Sequence, residues 1–275
     1  MRFSNGTLLV TAACVTGCAT LAAQQNSKKA STPPTPAPPS AVHEAGSAAA
    51  AGPFLTTPSG QRLVYDIEWR LIHAGTATVE ERPNWVQLKL ESSGLVSSLF
   101  KVHDTYTANY DDPFCVTSSL LDSSEGKRHH ETQVLYDRVQ NHAFFVERDV
   151  PSNAVIRTTG VDIPVCVQDV LGAMMKLRTS PAEPGKALQL FVSDGRKAAS
   201  VKVEAQERED IHTPAGNYKT VRYEANLMNG VVYTRKGRVF AWVSEGPDGR
   251  VVQLQLRMNF PLGTVTLQLH KQEPL

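Results

Sequence analysis

The sequence is poor in the features that announce most common activities. Beyond its first two dozen residues no apolar run approaches the about 20 residues that a membrane-spanning helix needs. Lysine and arginine nowhere cluster: 28 basic residues face 27 acidic ones, and from Gly60 onward 25 face 26, a net of −1. Nucleic-acid binding draws on grouped positive charge, so no nucleic-acid partner is expected. A GxSxG elbow, an HExxH pair, a Walker loop and a dinucleotide fingerprint are all missing, which leaves no local signature of catalysis or of a cofactor. Cysteine is also scarce, at four residues in 275.

Two of those four lie in the stretch VTAACVTGCATLAA, residues 10–23. A basic start at Arg2, an apolar stretch from Leu8 and then small residues form the layout of a secretory signal, too short to span a bilayer. Within it, Val15-Thr16-Gly17-Cys18 resembles a bacterial lipobox. Residues 1–18 therefore read as a lipoprotein signal peptide cleaved before Cys18, which receives the lipid. The alternative is an ordinary signal cut near Ala22 or Ala23. Acyl chains at Cys18 would attach the protein to a membrane, since each buried methylene adds about 0.8 kcal/mol. In the Gram-negative lipoproteins that this segment resembles, Asp after the cysteine retains the protein at the inner membrane. Ala19 stands there instead, so the expectation is an outer-membrane lipoprotein facing the periplasm, with a soluble periplasmic protein as the alternative.

Residues 19–59 are rich in Pro, Ala and Ser and hold almost no large apolar side chain, so burial cannot offset the entropy of ordering them. They read as a disordered linker. Residues 60–275 form the folded domain, and it contains the other two cysteines. In an oxidising compartment Cys115 and Cys166 are expected to bond to each other. Two free buried thiols are the alternative; a metal site is a poor fit without CxxC spacing or a nearby histidine.

From Gly60 onward, apolar and polar residues alternate with period two. In RLVYDIEWRLI, residues 62–72, Leu63, Tyr65, Ile67, Trp69 and Leu71 share one face, which predicts a half-buried antiparallel strand. Ten further segments repeat the pattern, and Asp194-Gly195, Asn229-Gly230 and Asp248-Gly249 supply turn residues between them. The fold class that follows is mainly β: a single antiparallel meander forming a strongly curved sheet or open barrel, because long sheets twist and exposed edges invite pairing. One segment differs. In PVCVQDVLGAMMKLRTSP, residues 164–181, Val167, Val170, Leu171, Met174 and Leu177 recur at helical spacing, with Asp169 in the first turn. This predicts one amphipathic helix packed on the sheet, and Leu95 to Phe100 is a weaker second candidate.

Arg178 falls inside that helix's apolar stripe. Either it snorkels to cap the last carbonyls, or it faces the sheet's concavity and pairs with a carboxylate or an anionic ligand head. Tyr65, Trp69 and Trp242, on regularly alternating faces, are the candidates to line a ligand cavity with Arg178 at its mouth. His129 and His130 of KRHHETQ point to opposite faces of a strand and cannot share a metal, and His129 with Glu131 lacks a visible third ligand, so no metal site and no catalytic residue are nominated.

The stretches YDIEWRLIHAGTATV (65–79), PVCVQDVLGAMMKLR (164–178), TPAGNYKTVRYE (213–224) and NFPLGTVTLQL (259–269) together resemble an exported bacterial family catalogued as domain of unknown function 3108. That resemblance implies a β-rich periplasmic domain and carries no activity, cofactor or catalytic residue. Three functions follow as expectations. The first is a non-catalytic binding or carrier module for an apolar or amphiphilic envelope component such as a lipid or glycan. The second is a structural or assembly protein that binds an envelope protein partner. An envelope-polymer hydrolase is the third.

Overall fold

The computed structural model describes residues 60–111, 114–246, 249–259 and 263–275. The signal segment, Cys18 and the linker lie outside these residues. The elements in order are β1 (Gln61–Trp69), β2 (Ile72–Arg82), β3 (Trp85–Ser92), α1 (Gly94–Leu99), β4 (Val102–Asp111), β5 (Cys115–Glu125), β6 (Arg128–Asp137), β7 (His142–Asp149) and β8 (Val155–Asp162). After α2 (Val170–Thr179) follow β9 (Ala187–Ser193), β10 (Ala198–Thr213), β11 (Gly216–Ala225), β12 (Gly237–Ser244), β13 (Val251–Met258) and β14 (Thr264–Pro274).

All fourteen strands form one antiparallel sheet that does not close. Except for β8 and β9, which are the two edges, strands next to each other in sequence pair with each other. The first and last strands meet in mid-sheet, with Gln61 opposite Pro274 and Trp69 opposite Val265. The alternation of side chains explains the curvature: Leu63, Tyr65 and Ile67 of β1 and Val201, Val203 and Ala205 of β10 are buried at every second position, so the apolar face rolls inward.

The expected strand over 62–72 is in fact two. Arg70 and Leu71 both adopt left-handed backbone, at φ of 52° and 67°, and turn the chain into β2 at Ile72. That pair of positive φ values matches the right-handed twist of a tight hairpin, although neither residue is the Gly or Asn that usually supplies it.

The helix has the length its apolar spacing implied, about three turns, but begins later, at Val170. Asp169 is its N-cap, and its carboxylate accepts the Gly172 N–H at 2.7 Å. The preceding residues are extended instead and stitch the two halves of the sheet together. Val116 N–H donates to Val167 O at 2.9 Å, Gln168 N–H to Phe191 O at 2.8 Å, and Ser193 N–H to Gln168 O at 2.9 Å. Cys115 and Cys166 form a disulfide at the same place, with Cα atoms 4.9 Å apart. The segment thereby joins β5 to β9 across the opening of the sheet.

From there α2 runs through the concavity. Ala173 and Leu177 pack with Val192, Val201, Val221, Ala241 and Val243, in a cluster built from β9–β13. Full burial of Leu177 contributes about 1.5–3 kcal/mol. A second cluster gathers β1, β2 and β12–β14. A third gathers the inner faces of β3–β7 with Ile163 and Val167.

Because the sheet is a meander, its connections alternate between two ends. One end holds the α2 connection, Gly60 and Leu275, whose N–H reaches Gly60 O at 3.3 Å. The other holds the turns that follow β1, β3, β5, β7, β9, β11 and β13, including α1. No helix among the described residues is long and apolar enough to cross a membrane.

Candidate functional site

The inner face of β3–β6 can be read as rows of facing residues. Leu90 faces Asp104, Tyr106 faces both Leu88 and Leu121, Leu121 faces Thr132, and Ser119 faces Val134. Between these rows and the start of α2 lies a cavity of about 90 Å³. Its wall is completed by Tyr136, by Val170 and Leu171 of α2, by Ser193 and Asp194 after β9, and by Tyr233 from the connection between β11 and β12. Leucine and valine side chains supply six of the fifteen lining residues, and the tyrosines, Ser119, Thr132, Ser193 and the carboxylates Asp104, Asp169 and Asp194 supply the polar points.

The floor is a hydrogen-bonded carboxylate. Asp169, 2% exposed, accepts the Tyr106 hydroxyl at 2.6 Å, the Tyr110 hydroxyl at 2.9 Å and the Gly172 N–H at 2.7 Å. Burial pushes its pKa above the ordinary aspartate value, and these donors pull it back. The same burial, reinforced by the negative charge of Asp169, raises Tyr106, Tyr110 and Tyr136 well above an ordinary tyrosine, so all three stay protonated as donors. With its oxygens engaged by three donors, Asp169 holds the start of α2 against β4. Nearby, Asp104 Oδ1 accepts the Ser124 N–H at 2.9 Å from a position 2% exposed.

The candidates read from the sequence lie elsewhere. Arg178, with a side chain 9% exposed, donates to Glu81 Oε1 at 2.6 Å and to Gly249 O at 2.7 Å. Of the two readings of this arginine, it is the inward-facing one, paired with a carboxylate, that describes its contacts. Tyr65 belongs to the same neighbourhood. Its hydroxyl donates to Val251 O at 2.9 Å, and burial, followed by the charge of Glu81, raises its pKa. Trp242, 4% exposed, donates from Nε1 to Glu209 Oε2 at 2.8 Å and alternates with Ala241 and Val243, which face α2. Trp69 stands at the far end of β1 under the Arg70 guanidinium, 5.2 Å from its ring. None of these four lines the cavity. Their side chains fill the core or pair within it, and the open space falls where β3–β6 curve away from the short helix.

Tyr106, Tyr110 and Tyr136 were missed by sequence reasoning. The signal available was Asp104, a carboxylate on the face of β4 that otherwise reads Tyr106, Ala108, Tyr110. His129 contacts Asp122 and His130 contacts Glu147, so the adjacent histidines have separate partners. No group of three or more potential metal ligands occurs among the described residues.

No curated protein matches the sequence. Among solved structures, the β-barrel-like protein of domain of unknown function DUF1849 from Brucella abortus is similar in fold, at 9% identity and a TM-score of 0.52, over 79% of this chain and 98% of that one. A "putative lipoprotein" from Parabacteroides distasonis aligns at 9% identity over 78% of this chain and 95% of that one, with a TM-score of 0.28, too low to bear on the fold. Residues 64–270 match the family described as a protein of unknown function, DUF3108, and the chain belongs to that family.

Proposed function

We propose that this protein is a non-catalytic binding or carrier module of the cell envelope, and that the space beneath α2 receives part of an apolar or amphiphilic ligand. The carrying observation is the cavity: leucines and valines of β3–β6 face an open volume that the helix does not fill. Its size bounds the occupant. At about 90 Å³ it is smaller than the roughly 150 Å³ cavity known to hold benzene. It suits the end of an acyl chain, with polar atoms of the ligand turned toward Ser119, Thr132 and Ser193. Asp169 and its tyrosines act as structure in this reading, since the carboxylate is already engaged by three donors.

The lipobox-like Val15-Thr16-Gly17-Cys18 supports membrane attachment through an acylated Cys18, and the Cys115–Cys166 bridge supports an oxidising compartment. The outer membrane, facing the periplasm, is the placement that Ala19 favours. A second reading, a structural role with a protein partner, is favoured by β8, an edge strand exposing Val155 at 52% and Ile156 at 45%.

Native mass spectrometry of protein taken gently from membranes tests the first reading, together with calorimetric titration by a medium-chain fatty acid, whose chain end is narrow enough for the space. A bound small molecule and saturable fatty-acid binding are expected, and both should be lost in a folded Leu121→Trp variant that fills the space. Absence of a bound molecule together with unsaturable fatty-acid binding would overturn it.

A further inference from the structure

Four large apolar side chains left in water sit together at the end of the sheet opposite Gly60. Leu71 is 93% exposed, Ile72 49%, Leu95 68% and Leu99 76%. Leu71 forms the tip of the turn after β1, and Leu95 and Leu99 lie one helical turn apart on α1. Val96 of the same helix is buried, and the Ser93 N–H donates to Ala74 O at 2.9 Å, so α1 is held against β2 with its leucines outward. Single exposed leucines are ordinary on a surface, but a cluster of them confined to adjoining turns marks a contact surface.

Charge in the turns at this end is mostly positive. Among the described residues these turns carry Arg70, Lys101, Lys127, Lys197, Arg235 and Lys236 beside the Arg196–Asp194 pair, while the carboxylates Glu91 and Asp149 stand on the strand ends of β3 and β7. Among the described residues, the connections at the other end carry both signs, Asp169, Glu183 and Glu245 beside Arg138, Lys176, Arg178, Lys186 and Arg250. Two of the six cations adjoin the leucines through α1: Gly126 N–H donates to Lys101 O at 2.8 Å, which seats Lys127 beside the end of that helix. Arg70, next to Leu71 in the same turn, lies over the Trp69 ring.

We propose that this end docks on an anionic phospholipid surface, with Leu71, Leu95 and Leu99 entering between the headgroups and the surrounding lysines and arginines meeting the phosphates. Apolar tips among turns whose charges are mostly cationic match the chemistry of that surface. The contact is separate from any attachment through Cys18, because Gly60 lies at the opposite end of β1, about 30 Å away. It also stands independently of what the cavity holds.

The test is co-sedimentation of the full chain, carrying Cys18→Ser so that no acyl group attaches, with vesicles of phosphatidylglycerol and phosphatidylethanolamine or of phosphatidylcholine alone. Binding to the anionic vesicles is expected, and it should fall as salt rises from about 0.1 M to 1 M and the Debye length shortens from about 10 to 3 Å. Leu71→Ser/Leu95→Ser/Leu99→Ser should weaken it by about tenfold or more, and Lys101→Glu/Lys127→Glu should do so independently. All five positions are exposed, so thermal melting of both variants should match the parent. Failure to bind anionic vesicles, equal binding by the leucine variant, or binding indifferent to salt and to vesicle charge would overturn the proposal.

Discussion

Replacing Asp169 by alanine removes one acceptor from three donors at once. The lost cap of α2 costs about 1 kcal/mol. The Tyr106 and Tyr110 hydroxyls, both buried, lose their partner, at about 1–3 kcal/mol each. Relief from burying a carboxylate offsets part of this, so the sum is about 3–5 kcal/mol, a large share of a typical domain's 5–15. Urea unfolding followed by tryptophan fluorescence would measure it. Asp169→Ala/Tyr106→Phe/Tyr110→Phe should be less destabilised than the separate losses added together, because the orphaned donors are gone as well. A cost under about 1 kcal/mol for Asp169→Ala, or strictly additive losses in the combined variant, would refute the reasoning. The pH dependence follows from the same residue. Its folded pKa is raised, so the stability it brings is complete below the ordinary 3.8 and is lost as pH rises through the folded value. Asp169→Asn should flatten the fall in stability between those two values.

Three further outcomes are expected. Cys115→Ala/Cys166→Ala opens a crosslink across 51 residues and should cost about 4 kcal/mol on the chain-entropy model, read by denaturation with and without reductant. Arg178→Met leaves Glu81 without its cationic partner, with only the Gln61 amide at 2.6 Å, and should cost about 3 kcal/mol, whereas Arg178→Met/Glu81→Leu should recover much of that in the same unfolding assay. Gly75→Ala would place a Cβ 2.0 Å from Glu91 O, so β2 and β3 must separate locally; a drop in melting temperature of at least about 2–4 °C is expected, about 1 kcal/mol or more for a domain of this size.

The curled meander was legible because its period-two rhythm is the direct imprint of one buried face, as in Leu63, Tyr65 and Ile67. It failed where that imprint is weak. β7 points Phe144 outward, 41% exposed, and buries Glu147 at 6%, against His130, so polarity there contradicts position. Edge strand β8 buries little on either face. The Arg70–Leu71 turn carries no residue that usually announces positive φ. The helix was visible in its spacing, but its start was set by Asp169 meeting Tyr106 and Tyr110, about 60 residues distant in the chain. Cavity location depends on which strands α2 leaves uncovered, a property of the packed whole that no local pattern encodes.

The pairing of β1 with β14 sets an order of assembly. Tyr65 finds Leu269, and Gln61 finds Pro274, only after more than 200 intervening residues have been delivered. Until then β1 presents an unsatisfied edge on one side, a site for mispairing with another nascent chain. Closing that seam should be the slow step of folding, since loops so long form late. A polypeptide that cannot finish its sheet before its last strand arrives is well suited to being threaded through a membrane unfolded and completed on the far side.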